Sequence, residues 1–169
     1  MHSLAAAAAG AGGGVMILAI DPGPERSAYV VWSEGRVLDS GWLGNFDVRL
    51  RVSYYAREHQ RVAIEMIASY GMAVGASVFN TCVEIGRMVE VAKSHGVDAE
   101  LIFRKDVKLH VCGSPRAKDA NIRQALMDTF GPVGTKKQPG PLYGVKSHVW
   151  AALAVAVTAE AAIVAGPST

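Results

Sequence analysis

The amino-acid sequence predicts an α/β domain built on a mixed five-stranded sheet: three antiparallel strands come first, parallel strands follow, and helices flank the faces. Three observations carry this reading. Three strand-like runs, 15–20 (VMILAI), 27–33 (SAYVVWS) and 36–42 (RVLDSGW), succeed one another with only short turns between them. From residue 47 onward, segments of helical periodicity alternate with short apolar runs, the pattern of parallel strands joined by crossover helices. Half of the 169 residues are apolar and 19% are charged, a balance that supports one buried core and excludes a disordered chain.

Each element has a local cause. Asp21-Pro22-Gly23 stops the first run, because Pro and Gly interrupt a strand. Glu34-Gly35 supplies a tight hairpin turn between the second and third. Over 47–60, Val48, Val52, Tyr55 and Ala56 recur on one helical face. Residues 62–65 (VAIE) form a short buried strand that also ends in an acid. In 75–95, Val78, Cys82, Ile85, Val89 and Ala92 mark a long helix that Gly96 closes. A further strand covers 99–103 (AELIF), and 117–130 is a helix carrying Ile122, Leu126 and Phe130, closed by Gly131. The Gly/Pro-rich segment 135–144 reads as a basic loop and 147–165 as the last helix. The expected order is three strands, helix, strand, helix, strand and two helices.

Residues 1–14, rich in Ala and Gly, read as a flexible leader or an expression remnant, 15–165 as the domain, and 166–169 as a tail. Segment 149–165 is dominated by Ala, contains Thr158 and Glu160, and falls short of the ~20 strongly apolar residues of a membrane span. It reads as a buried helix, and no secretory signal precedes the domain. Cys82 and Cys112 stand thirty positions apart without metal-ligand spacing, as expected of reduced thiols in a cytoplasmic protein. The net charge of +2 alone does not identify a polyanionic partner.

The chemistry-bearing residues are the two acids that end core strands, Asp21 after ILAI and Glu65 after VAI. An Asp before Pro-Gly often does no more than open a turn. Two acids, each flush with an apolar strand, point instead to a site, because rigid strand ends aim side chains at the accessible loops of an α/β sheet. A carboxylate pair suits Mg²⁺ or Mn²⁺, hard cations held by a few oxygens together with substrate phosphate. Two such ions could activate water against a phosphodiester. Arg104, Lys105, Lys108, Arg116, Lys118 and Arg123 cluster in one segment, with Lys136, Lys137 and Lys146 after it. Charge runs are commonly solvated faces. Beside a carboxylate site they are better read as phosphate contacts, since acids alone repel a polyanion.

At this point the chain resembles a known family. "ILAIDPGPERSAYVVW", "VAIEMIASYGMAVG", "FRKDVKLHVCGSPRAKDANIRQALM" and "KSHVWAALAVAV" are similar, in this order, to four segments of the RuvC-type Holliday-junction resolvases, and cover residues 15–163. The resemblance implies an RNase H-like fold and a homodimer in which the 75–95 helix is the dimer element. It also implies a metal-dependent nuclease with two Mg²⁺ (or Mn²⁺) ions per site that nicks four-way DNA junctions. Asp21 and Glu65 match the first two metal-binding acids and His148 the third ligand. Lys118 and Lys108 approximate lysines near the scissile phosphate, with Lys118 assigned to catalysis. An aromatic in the loop after the second acid, Tyr70 here, matches a residue that wedges between junction bases.

One position departs from the family. Ala151 stands where the pattern has a fourth acid, three residues after His148, and Ala offers no ligand atom. A helix through 148–151 would place both side chains on one face. The expectation is therefore a chain impaired in cutting, most simply by a deliberate substitution. Two rivals remain in view: an RNase H-like nuclease acting on RNA or simpler branched DNA, and a junction-binding protein that does not cut. A sugar-kinase-like ATPase shares the strand-ending Asp and Gly, but the chain is too short for its two domains and lacks a second phosphate-binding glycine loop.

Overall fold

The computed structural model describes residues 14–69, 71 and 73–165. The expected leader and tail, apart from Gly14, and the wedge candidate Tyr70 lie outside the described residues. Strands β1 (Ile17–Asp21), β2 (Arg26–Ser33) and β3 (Arg36–Gly44) form an antiparallel meander. Helix α1 (Asn45–Arg57), strand β4 (Arg61–Met66), helix α2 (Ala76–Ser94) and strand β5 (Glu100–Phe103) follow. The chain then runs through three helices, α3 (Arg104–Cys112), α4 (Asp119–Phe130) and α5 (Val149–Ala165). The sheet order is β3-β2-β1-β4-β5, with β4 parallel to both β1 and β5, so the mixed five-stranded sheet is as expected.

Period-two alternation in the central strands builds a core on each face. Leu18, Ile20, Val62 and Ile64 pack against Val48, Val52 and Tyr55 of α1 and against Ile85, Met88 and Ala92 of α2. Ile17, Ala19 and Ala63 point to the other face and meet Ala152, Leu153, Val155 and Ala156 of α5, together with Ile122 and Leu126 of α4. Small residues on both sides, Ala19 and Ala63 against the Ala-rich helix, let α5 lie close to the sheet. This burial explains the strong apolarity of α5. Among the described residues no helix is long and apolar enough to cross a membrane. Cys82 is exposed, Cys112 is half-buried, and neither is in a disulfide.

Two expectations require correction. The segment Arg104–Cys112 contains a helix that the sequence reading passed over. Its apolar residues Val107, Leu109 and Val111 alternate as in a strand, yet only Val107 is fully buried, so periodicity gave no helical signal. The helix is closed by Gly113 at φ +68, a left-handed conformation that glycine adopts without strain. The second correction concerns the last helix, which begins at Val149 rather than at residue 147. Ser147 has φ +49, outside the helical region, so His148 precedes the helix. The His148 carbonyl accepts from the amides of Ala151 (3.1 Å) and Ala152 (3.4 Å), which makes His148 the capping residue of α5.

Candidate metal centre

Alternation that sends Ala19 and Ala63 toward α5 sends Asp21 and Glu65 the same way, one step beyond the neighbouring Ile20–Ile64 pair. The two acids therefore meet above the sheet's end, where α4 and α5 begin. They line a cleft of about 290 Å³ with Arg104, Asp119, Ile122, Ser147, His148, Trp150 and Ala151. The loop leaving Asp21 is held from beneath. The Ser27 hydroxyl donates to Asn45 Oδ1 (2.7 Å), and Asn45 Nδ2 donates to the Gly23 carbonyl (2.9 Å). Gly23 is required there, because a Cβ would stand 2.4 Å from the Arg26 carbonyl oxygen.

Arg104 sits among the acids. Its Nη1 donates to both Glu65 oxygens (3.1 and 3.0 Å), and its Nη2 donates to Asp119 Oδ1 at 2.6 Å. His148 Nδ1 lies 3.6 Å from Asp21 Oδ2, and its ring stacks on Trp42 at 5.5 Å. Trp42 carries the Arg26 guanidinium at 4.1 Å, and Arg26 Nη2 also donates to the Trp42 carbonyl (2.7 Å). The imidazole is thus positioned from the edge strand as well as from its own turn.

Burial governs the protonation of the two strand-end acids. It raises Asp21 to about 6, against partial relief from Arg104 and with a further upward push from Asp119. It raises Glu65 to about 7, again opposed by Arg104 and reinforced by Asp21. Acids raised in the folded state favour folding at low pH, and that contribution fades as pH climbs through the folded values. Asp21→Asn is therefore expected to stabilise the metal-free fold at pH 8 by about 1–2 kcal/mol. The melting temperature should rise by roughly 2–8 °C. Thermal unfolding with a chelator at pH 8 and pH 5 checks this, and the gain should shrink at the lower pH. A variant less stable than the parent at pH 8 would contradict it.

The predicted site residues divide between cleft and surroundings. Asp21, Glu65 and His148 converge on one cleft, and Ala151 lies beside them. Arg104, expected on phosphate, instead pairs with Glu65 and Asp119, which the carboxylates of a buried cleft explain. Lys118 sits at the N-cap of α4, exposed and outside the cleft lining, with its amide donating to Asn121 Oδ1 (2.9 Å). Lys105, Arg116 and Arg123 are exposed and Lys108 is half-buried. Arg123 lies over the Trp150 ring at 5.0 Å, which brings it to the rim. Sequence reasoning missed Asp119, Trp42, Asn45 and Trp150. Asp119 carried one usable signal, an acid in the first turn of a helix, but such acids are ordinary in that position.

Among the described residues, no three His, Cys, Asp or Glu side chains are placed to hold a metal ion together. The donor types lining the cleft, carboxylates from β1 and β4 and an imidazole, are those that a hard divalent cation takes, and Arg104 holds a positive charge beside them.

Two solved structures share this architecture. The Thermus thermophilus RuvC structure superposes with a TM-score of 0.64 at 21% identity, covering 90% of this chain and 97% of that one. The chain has the RuvC fold. T. thermophilus RuvC in complex with a Holliday junction substrate gives a TM-score of 0.60 at 20% identity, over 85% of this chain and 92% of the other. No family model matches the sequence, and no curated protein matches it.

Proposed function

We propose that this protein is a structure-selective endonuclease that resolves four-way DNA junctions by divalent-metal-dependent phosphodiester hydrolysis. The observation that carries the reading is the convergence of Asp21 and Glu65 from adjacent parallel strands on one cleft with His148, in a fold shared with a RuvC solved with a Holliday junction. Asp21, Glu65 and His148 would hold Mg²⁺ or Mn²⁺. Two such ions, when bound, supply an activated water and neutralise charge on the leaving 3′-oxygen. The chain's own residues orient the rest. Trp42 and Arg26 fix the imidazole, Ser27 and Asn45 fix the Asp21 loop, and the products would carry 5′-phosphate and 3′-hydroxyl ends. Ala151 adds no ligand, so a centre of these three residues alone would be impaired in cutting.

DNA would approach across the exposed cations around the cleft. Lys105, Arg116, Lys118 and Arg123 are exposed, and each phosphate contact releases condensed counterions from DNA. Lys118→Ala is expected to weaken junction binding and to reduce the slope of log affinity against log salt by about one unit. Lys108→Ala should act in the same direction. Filter binding across a salt series measures both, and an unchanged slope and affinity for Lys118→Ala would take that residue off the DNA path.

Symmetric nicking of a junction needs two sites related by a two-fold axis. Two exposed apolar pairs support a homodimer through α1 and α2: Phe46 and Leu50 are 65% and 48% exposed, and Phe79 and Val83 are 60% and 52%. Each pair has the i, i+4 spacing that puts both members on one face of their helix. The two helices pack side by side, joined by Arg49 and Glu84. The substrate assignment is tested by gel-shift competition between a four-way junction and linear duplex of equal length, followed by cutting assays on junction, flap and RNA–DNA hybrid. Preference for the junction in both supports resolution. Equal affinity for duplex, or cutting confined to hybrid, would favour another RNase H-like nuclease.

A further inference from the structure

Lys136 and Lys137 lie outside the cleft lining, at the tip of a hairpin in the segment that joins α4 to α5. Building on the nuclease reading above, we propose that this hairpin, residues 132–142, is a stiff basic finger that holds the phosphate backbone of a DNA arm about five base pairs from the bond to be cut.

The segment is rich in Gly and Pro, yet its backbone is closely specified. Gly134 and Pro139 pair as antiparallel partners, the Thr135 amide donates to the Gln138 carbonyl (2.9 Å), and the Gln138 amide donates back to the Thr135 hydroxyl (3.1 Å). Lys136 and Lys137 are thus the two central residues of a tight turn, and both are exposed. Two glycines let the sides of the hairpin close on each other. A Cβ on Gly134, which has φ +73, would stand 2.2 Å from the Gly140 nitrogen, and one on Gly140 would stand 2.0 Å from the Pro132 carbonyl oxygen. The root is fixed by the Gly140 amide, which donates to the Val133 carbonyl (3.0 Å), and by Leu142 and Val145, which are buried in the core with α5. A tip held in this way presents its charges with little ordering cost on binding. No acid stands between Asp128 and Glu160 in the sequence, and Lys146 adds a third exposed cation, so nothing within the segment offsets its attraction for phosphate.

The place of the hairpin in the fold sets its reach. Helix α4 starts in the cleft with Asp119 and ends with Phe130 edge-on to Trp32 (5.0 Å), which pairs with Ile17 at the opposite end of β1 from Asp21. The 12 residues of α4, at about 1.5 Å each, carry the chain about 18 Å from the cleft before the hairpin begins. DNA rises about 3.4 Å per base pair, so a phosphate at that distance is about five base pairs away. A finger rooted there meets an arm of the substrate rather than the nucleotides being cut.

Binding of a long-armed four-way junction by the full chain, with a chelator present, tests this. Lys136→Gln combined with Lys137→Gln is expected to weaken binding and to reduce the slope of log affinity against log salt by about two units per protomer, while Lys136→Arg combined with Lys137→Arg keeps both. Neutral methylphosphonate linkages, placed one at a time along the arms, locate the contact. In the parent they should weaken binding about threefold or more near the fifth base pair from the cut position, and in the Gln variant only at positions closer to it. An unchanged slope in the Gln variant, or the same arm profile in both proteins, overturns the finger. Linear duplex should show the same difference in slope, so the finger is judged even where junction preference, and the nuclease reading with it, fails.

Discussion

In an Ala151→Asp parent, Glu65→Gln is expected to abolish junction cutting while leaving junction binding within a few-fold of that parent. Glu65 lies at the end of a central strand, buried, aimed into the cleft and held by Arg104. An amide keeps the shape but removes the charge that attracts a divalent ion. The loss of rate should be on the order of 10³-fold or more, equivalent to about 4 kcal/mol in the barrier. Binding should persist because the exposed cations around the cleft are untouched, and because one fewer negative charge faces the phosphates. Asp21→Asn should behave alike. Single-turnover cleavage of a labelled junction beside a gel shift on the same preparation measures both quantities. Parent-like cutting by either variant would remove these acids from the chemistry.

Phe79→Glu carries the second large expected effect. Phe79 projects from α2 with more than half its surface exposed, one turn from Val83, and large exposed apolar patches on a soluble domain mark contact surfaces. A charge at the centre of such a contact should raise the dimer dissociation constant at least about 100-fold, or about 2.8 kcal/mol. Sedimentation velocity should show a dimer for the parent and a monomer for the variant at micromolar concentration. Paired nicking should fall with it, while the fold stays intact because Phe79 contributes nothing to either core. A monomeric parent, or a variant that stays dimeric, would exclude this face.

What could be read in advance follows from where the physical signal lies. Strands β1 and β4 announced themselves as apolar runs cut off by an acid, and those acids are the two that the sheet brings together. The helix Arg104–Cys112 did not, because its charged residues and strand-like alternation disguise a short helix that buries only Val107. Arg104 looked like one cation in a basic run. Its pairing with Glu65, 39 positions earlier, comes from the parallel packing of β4 beside β5 and no local pattern records it. Asp119 was hidden for a related reason: it meets Arg104, 15 positions earlier, through tertiary packing that nothing near it in the chain specifies. His148 lies 3.6 Å from Asp21, but as the cap of α5 rather than within it, because Ser147 has a positive φ and the helix begins only at Val149.

Cutting of an end-labelled four-way junction by the purified chain in Mg²⁺ or Mn²⁺ tests the central claim most directly. The account predicts weak cutting by the parent and, in Ala151→Asp, much faster paired, symmetric nicks whose ends a DNA ligase reseals without further treatment, suppressed by a chelator and by Glu65→Gln. Absence of junction cutting with either metal, in the parent and in Ala151→Asp alike, would contradict it.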